Sequence, residues 1–233
     1  MDSDSAFLTA LHLIFSGDPA LAQIVGLSLR VTLSAVLASC VIGLPLGAAL
    51  SLARFPGRGA VIVVFNALMG LPPVVAGLVV YLLLSNTGPL GFLSLLFTPT
   101  AMILAQTLLI TPIIISLTRS VIDDLWSEYE EQLRSLGSSA LRAIPTLLWD
   151  GRFSLITVVL AGLGRAMAEV GAVLIVGGNI AGFTRTMTTA IALETAKGDL
   201  ALALGLGIIL LLLTLALNAG AFISGRIAQR QAA

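Results

Sequence analysis

Leu200–Phe222 reads LALALGLGIILLLLTLALNAGAF, 23 consecutive residues without a charge. A helix rising ~1.5 Å per residue needs roughly 20 residues to cross ~30 Å of hydrocarbon, so this stretch is long enough to span a bilayer. It shows no period-two alternation, which argues against a barrel strand. A helix also satisfies its backbone polar groups internally, as lipid requires. The whole chain has the same character. It holds 233 residues, 12 basic and 12 acidic, with 58% apolar and a mean hydropathy of +1.06. Soluble domains carry about a quarter charged residues, whereas 10% here leaves too little polar surface to coat a globule. The expected class is an all-α integral membrane protein.

Four further apolar runs accompany Leu200–Phe222: Ala20–Leu52, Ala60–Leu84, Thr98–Leu117 and Phe153–Gly177. Five transmembrane helices are therefore expected within a membrane domain 20–222, flanked by an N-terminal segment 1–19 and a tail 223–233. The first run is longer than one crossing needs and contains Gly43, Pro45 and Gly47, so a bend, a tilt or an extension beyond the bilayer is expected. Met1–Asp18 carries Asp2, Asp4 and Asp18 and no basic residue, unlike a signal peptide; Ala6–Phe15 fits a short interfacial helix.

Basic residues orient the spans. Arg54, Arg58, Arg119, Arg134, Arg142, Arg152, Arg226 and Arg230 fall on one side if the spans alternate, and Arg185 and Lys197 fall on the other. Eight against two makes the first side cytoplasmic. The expectation is a multi-pass protein of the cell inner membrane, N-terminus outside and C-terminus inside.

Between the third and fourth spans, Arg119–Arg152 holds 10 of the 24 charges. A long polar connection in so apolar a chain is usually functional. Trp126, Tyr129, Leu133 and Leu136 recur at helical spacing, and Glu130 stands four before Arg134. Gly137 suits a helix C-cap, and Ser138 or Ser139 can start a second helix with Leu141, Ile144 and Leu148 on one face. Pro145 is expected to kink that second piece. Two short amphipathic helices joined at a glycine result. They read either as a surface connector or as a docking knob for a cytosolic partner.

Glu131-Gln132-Leu133-Arg134-Ser135-Leu136-Gly137 resembles the E-A-A-x-x-x-G loop of ATP-binding-cassette importer permeases, with Gln132 and Leu133 in place of the alanines. Arg165-Ala166-Met167-Ala168-Glu169-Val170-Gly171-Ala172 resembles the R-A-x-G-E-F-G-A stretch of molybdate and sulfate permeases. Leu71-Pro72-Pro73 and Gly88-Pro89-Leu90-Gly91 are similar to further segments of that group, and Glu194-Thr195-Ala196-Lys197-Gly198-Asp199 looks closest to its tungstate-type members. The resemblance covers roughly residues 21–215. It implies a type I importer in which two copies of the chain form the pathway, a cytosolic ATPase dimer drives it, and an external oxyanion-binding protein delivers the anion. Tungstate is the implied cargo, with molybdate or sulfate as the alternative. The coupling residues it points to are Glu128, Glu131, Arg134, Gly137, Ser138 and Arg142. The chain has no G-x4-G-K-[ST] phosphate loop, so ATP and magnesium belong to the partner ATPase and no cofactor is expected on this chain.

Within the spans, Arg165 and Glu169 are spaced i,i+4, as an ion pair on one helical face would be. Charges at membrane depth face a bundle interior or a wet cavity. A packing clamp is favoured over anion contact, because Glu169 would repel an oxyanion. Arg30 either pairs with Glu169 or lies at the headgroup level. Pro72 and Pro73 interrupt the second span, either freeing carbonyls toward the passage or only kinking it. Asn179, at the outer end of the fourth span, is a further pathway candidate. Thr184 and Arg185, beside it, either meet the binding protein that the resemblance implies or lie in an ordinary solvated loop. His12 has no ligand-spaced partner, and lone Cys40 excludes an internal disulfide. Zero net charge excludes a basic nucleic-acid footprint. No H-E-x-x-H or G-x-S-x-G constellation supports an intramembrane enzyme. Five spans cannot form the two equal inverted repeats of many secondary transporters.

Overall fold

The computed structural model describes residues 19–232, with backbone alone at 224 and 226–232. The expectations for Ala6–Phe15 and His12 lie outside the described residues. The described residues form helices and no strand. In chain order these are α1 (Pro19–Leu52), α2 (Arg58–Leu68), α3 (Pro73–Leu84), α4 (Pro99–Ser135), α5 (Ile144–Asp150), α6 (Arg152–Met167), α7 (Gly171–Gly177), α8 (Met187–Lys197) and α9 (Leu200–Ala232), with 3-10 turns at Gly91–Leu93 and Ala140–Ala143.

Three helices, α1, α4 and α9, are long and apolar enough to cross a membrane; the number rises to five if each of two bent helix pairs counts as one span. These pairs are α2 with α3, bent by 103°, and the Ala140–Asp150 segment with α6, bent by 78°. Between α2 and α3, Pro72 is extended (φ −61°, ψ 128°) and Pro73 opens the new helix, where its missing N–H costs nothing. The expected fourth span, Phe153–Gly177, is not one helix: α6 stops at Met167 and α7 begins at Gly171. Here the Glu169 carboxylate takes the Ala172 N–H at 2.9 Å, offering the backbone an alternative to helical continuation. Glu169 thus lies beyond the end of α6 rather than on its face.

The loop helix also departs from expectation. α4 runs unbroken for 37 residues, about 55 Å, so the first loop helix is a continuation of the third span. No glycine or proline occurs between Ile113 and Leu136, and the i,i+4 pairs Arg119–Asp123 and Glu130–Arg134 support the polar part. Pro145 begins α5 instead of kinking a longer helix.

Contacts divide the chain into two interleaved units: 19–35, Pro72–Gln106 and Gly164–Asn218 form one, and Val36–Leu71, Thr107–Leu163 and 219–232 the other. In the first unit, Leu21 of α1, Met187 and Ala190 of α8 and Leu206 of α9 form a buried cluster. The start of α8 is fixed by a capping box between Thr186 and Thr189 and by Ser28 Oγ, which accepts the Met187 N–H at 2.7 Å. In the second unit, α1 meets α4 through Gly43 and Gly47. A Cβ at Gly47 would stand 2.6 Å from the Ile115 carbonyl oxygen, and one at Gly43 would stand 2.7 Å from Ile114 Cγ2. This is the small-xxx-small contact that lets membrane helices approach closely.

Candidate functional site

In the second unit, α1 ends with carbonyls that have no intrahelical partner. Arg58 supplies donors to them. Its Nε donates to Leu50 O at 2.8 Å and its Nη2 to Ser51 O at 2.7 Å. The same Nη2 lies 3.4 Å from Asp123 Oδ1 on α4. Asp123 also accepts from Ser51 Oγ at 2.6 Å and pairs with Arg119 one turn earlier. Farther along α4, Glu130 stands 2.5 Å from Arg134 and 3.8 Å from Arg54. Each pair contributes only about 0–1 kcal/mol, and together they form two clusters along α4, one centred on Asp123 and one on Glu130. Asp123 is a structural brace that sequence reasoning missed, and Glu130, expected to support the helix through Arg134, also faces Arg54. Arg119–Asp123 was readable from its i,i+4 spacing, whereas the Arg58 bonds, made to backbone carbonyls, leave no residue pattern.

Beyond these clusters, α4 packs back on the segment that follows it. Ile122, Ala143 and Leu147 are buried together with Ala48 and Leu52, and Trp126, Tyr129, Leu133, Ile144 and Leu148 pack around them. The Tyr129 phenol is held above its ordinary pKa, first by the neighbouring Glu128 charge and then by its packing, a Glu128 hydrogen bond and Asp150.

The turn at the tip is a Schellman motif. The Gly137 N–H donates to Arg134 O at 2.9 Å and the Ser138 N–H to Leu133 O at 3.0 Å, with Gly137 left-handed at φ +78°. Ser139 is extended ahead of the 3-10 turn without a side-chain cap.

Leu136 and Leu141, expected on the apolar stripe of the two loop helices, face out, 82% and 58% exposed, beside Trp149 at 68%. Leu136 is the last residue before the left-handed glycine, so the reversal directs it away from the core. Glu128, Glu131, Arg134 and Arg142 are exposed around the tip, and Ser138 is half-buried. The result is a braced hairpin that presents apolar side chains ringed by charge, a surface suited to insertion into a groove of another protein.

In the first unit, Glu169 is 3% exposed. Its Oε1 accepts the Ala172 N–H, its backbone carbonyl accepts the Thr188 hydroxyl at 2.8 Å, and its Oε2 lies 3.9 Å from Arg165. The carboxylate therefore clamps the start of α7. Arg30 is exposed, and it is Arg165 that faces Glu169. Gln106 donates to Ala166 O at 3.3 Å, and its Oε1 has no partner among the described residues. A cavity of about 10 Å³ lies among Ser28, Thr32, Gln106, Glu169, Thr186 and Thr188. That is room for about one water, not for a tetrahedral oxyanion.

Thr184 does not offer a docking surface. It is fully buried, donating to Gly177 O at 2.5 Å and accepting the Ile180 N–H at 2.9 Å, so its hydroxyl closes the loop after α7. Phe183 and Ile180 are the exposed side chains there. Arg185 reaches toward Glu194 at 3.9 Å. Asn179 is left-handed (φ +51°) with its amide 3.4 Å from Thr189 O. The Pro72 carbonyl is not freed, since the Val75 and Ala76 N–H groups both bond to it.

No family model matches the chain. The chain is 40% identical over 213 residues to the tungstate uptake system permease protein TupB of Peptoclostridium acidaminophilum, a match covering 91% of this chain and 93% of that protein. It is 42% identical over 185 residues to a probable anion ABC transporter permease protein of Haloferax volcanii, covering 77% and 80%. Similarity to the sulfate transport system permease protein CysW of Escherichia coli K12 is lower, 28% over 187 residues, covering 76% and 63%.

Proposed function

Because the chain belongs to the permease subunits of ATP-binding-cassette anion importers, we propose that it is the tungstate-passing subunit of such an importer, with the α4–α5 hairpin as its ATPase-coupling element. One observation carries the coupling reading: the Glu131–Gly137 turn ends a continuous α4 and exposes Leu136 and Leu141 at the tip of a hairpin braced behind by Asp123, Glu130 and a buried core. Such a hairpin moves as one body when a partner closes on its tip. Two copies of the chain enclose the pathway through five spans each, with the N-termini outside and the hairpins in the cytoplasm. The basic-residue asymmetry supports that orientation.

Affinity for the anion belongs to an external binding protein, and the cavity near Glu169 supports this division because it is too small to retain the cargo. Tungstate as cargo is supported by similarity to a tungstate permease over nearly its whole length. The weaker similarity to sulfate permeases supports molybdate or sulfate as the second reading. In this arrangement Glu128, Glu131, Arg134 and Arg142 contact the ATPase through charge, and Leu136 fills an apolar recess on it.

The test is reconstitution in proteoliposomes with the ATPase and the binding protein. Proline cannot adopt the φ of +78° that position 137 needs, so Gly137→Pro misdirects the tip. Gly137→Pro and Glu131→Arg are expected to lower ATP-driven tungstate uptake by about ten-fold or more while basal ATP hydrolysis persists. Uptake at the normal rate in assembled variants would remove the coupling assignment. Equal competition of uptake by sulfate and tungstate would remove the cargo.

A further inference from the structure

A groove of about 510 Å³ opens in the second unit, its walls formed by Leu44, Leu148, Leu155, Ile156, Val159 and Leu160. Ala221 of α9 closes one side, and the only charged residue on its lining is Arg152. That guanidinium is held in place: it lies 4.4 Å from the Phe153 ring centroid and 4.8 Å from that of Trp149, while Nη1 donates to Trp149 O at 2.7 Å. No carboxylate pairs with Arg152 among the described residues, although Asp150 is only two residues away. Arg152 is also the first residue of α6, where the helix dipole disfavours a cation. A preorganised positive charge at the mouth of an apolar trough therefore stands uncompensated.

We propose that this groove binds one anionic phospholipid, an acyl chain lying along Leu155, Ile156, Val159 and Leu160 and the headgroup phosphate on Arg152. Water does not fill a trough with so little polar lining, and a soluble anion would leave the apolar walls bare. A lipid satisfies both ends at once, since its tail removes the walls from water and its phosphate accepts from the donors that Arg152 does not spend on Trp149. Zwitterionic lipids carry the same phosphate but bring their own cation to it, so the preference is for a net negative headgroup.

Trp149 beside Arg152 makes the site directly readable, because Trp126 is the only other tryptophan. The full chain with Trp126→Phe is reconstituted into bilayers containing either acyl-brominated phosphatidylglycerol or acyl-brominated phosphatidylcholine, and Trp149 fluorescence quenching is recorded. Half-maximal quenching is expected at an about five-fold lower mole fraction of the anionic lipid, the preference that one basic residue confers. Arg152→Gln is expected to abolish that preference, and Arg152→Lys to retain it. Four outcomes overturn the proposal. Equal quenching by both lipids, or a preference unchanged in Arg152→Gln, removes the headgroup contact. No quenching by either lipid means that a second copy covers the groove. Loss of the preference on adding millimolar inorganic phosphate means that Arg152 binds the free anion.

Discussion

Glu169 shows how one side chain can interrupt a membrane helix and hold the break. Its carboxylate replaces a backbone acceptor for Ala172, and its carbonyl ties in Thr188. Glu169→Ala leaves the Ala172 donor buried and unmet, and Arg165 loses the carboxylate that faces it. A loss of about 2 kcal/mol is expected, seen as a lower unfolding temperature of the purified chain. Glu169→Gln keeps an acceptor at the same place and is expected to lose about half as much. If Glu169 met the cargo directly, Glu169→Gln would alter uptake while leaving the unfolding temperature unchanged. The i,i+4 spacing to Arg165 correctly brings the two side chains near each other. It could not show that the helix stops between them, because helical spacing presupposes the helix.

Among the elements, α4 holds the main difference between sequence and structure. Its apolar half and its charged half look like two helices by composition, yet no residue between Ile113 and Leu136 can stop a helix. The change of solvent at the membrane surface changes side-chain chemistry without breaking the backbone ladder. Gly137 was legible because a left-handed turn has a residue preference. The outward Leu136 and Leu141 were not, since an apolar residue next to a turn fits either face of the pattern. The α1–α4 contact leads to a further expectation. Gly47→Leu drives a side chain into the Ile115 carbonyl, which is part of a helix and cannot yield. A loss of about 2–3 kcal/mol is expected, checked by poor recovery of monodisperse protein, whereas Gly26→Leu, with no atom within 4 Å of its Cβ position, should be recovered normally.

At the scale of the whole molecule, composition and run length identify a helical membrane protein, and the E-x5-G turn and the R-A-M-A-E stretch point to the family. The break at Pro72-Pro73 was visible in its prolines, whereas the one between Met167 and Gly171 was not, because a run of apolar residues reports its solvent and not its continuity. Orientation is tested with cysteine. In a Cys40→Ala background, Ser135→Cys on the exposed tip is expected to react with a membrane-impermeant maleimide only after the cells are opened. Labelling of intact cells would place the hairpin outside and remove the coupling proposal with it.

The bonds made by Arg58 have a consequence for biogenesis. In the finished protein this guanidinium covers two carbonyls at the end of α1 and touches Asp123, 65 positions later in the chain. When Arg58 leaves the ribosome, Asp123 has not been made. In the proposed orientation the same residue therefore serves twice. As an unpaired charge on the nascent polypeptide it resists translocation, and only later does it become a fastening between two helices. Lysine could perform the first task but not the forked second one, so a chain carrying Arg58→Lys should insert the right way round and then hold α1 and α4 together less firmly.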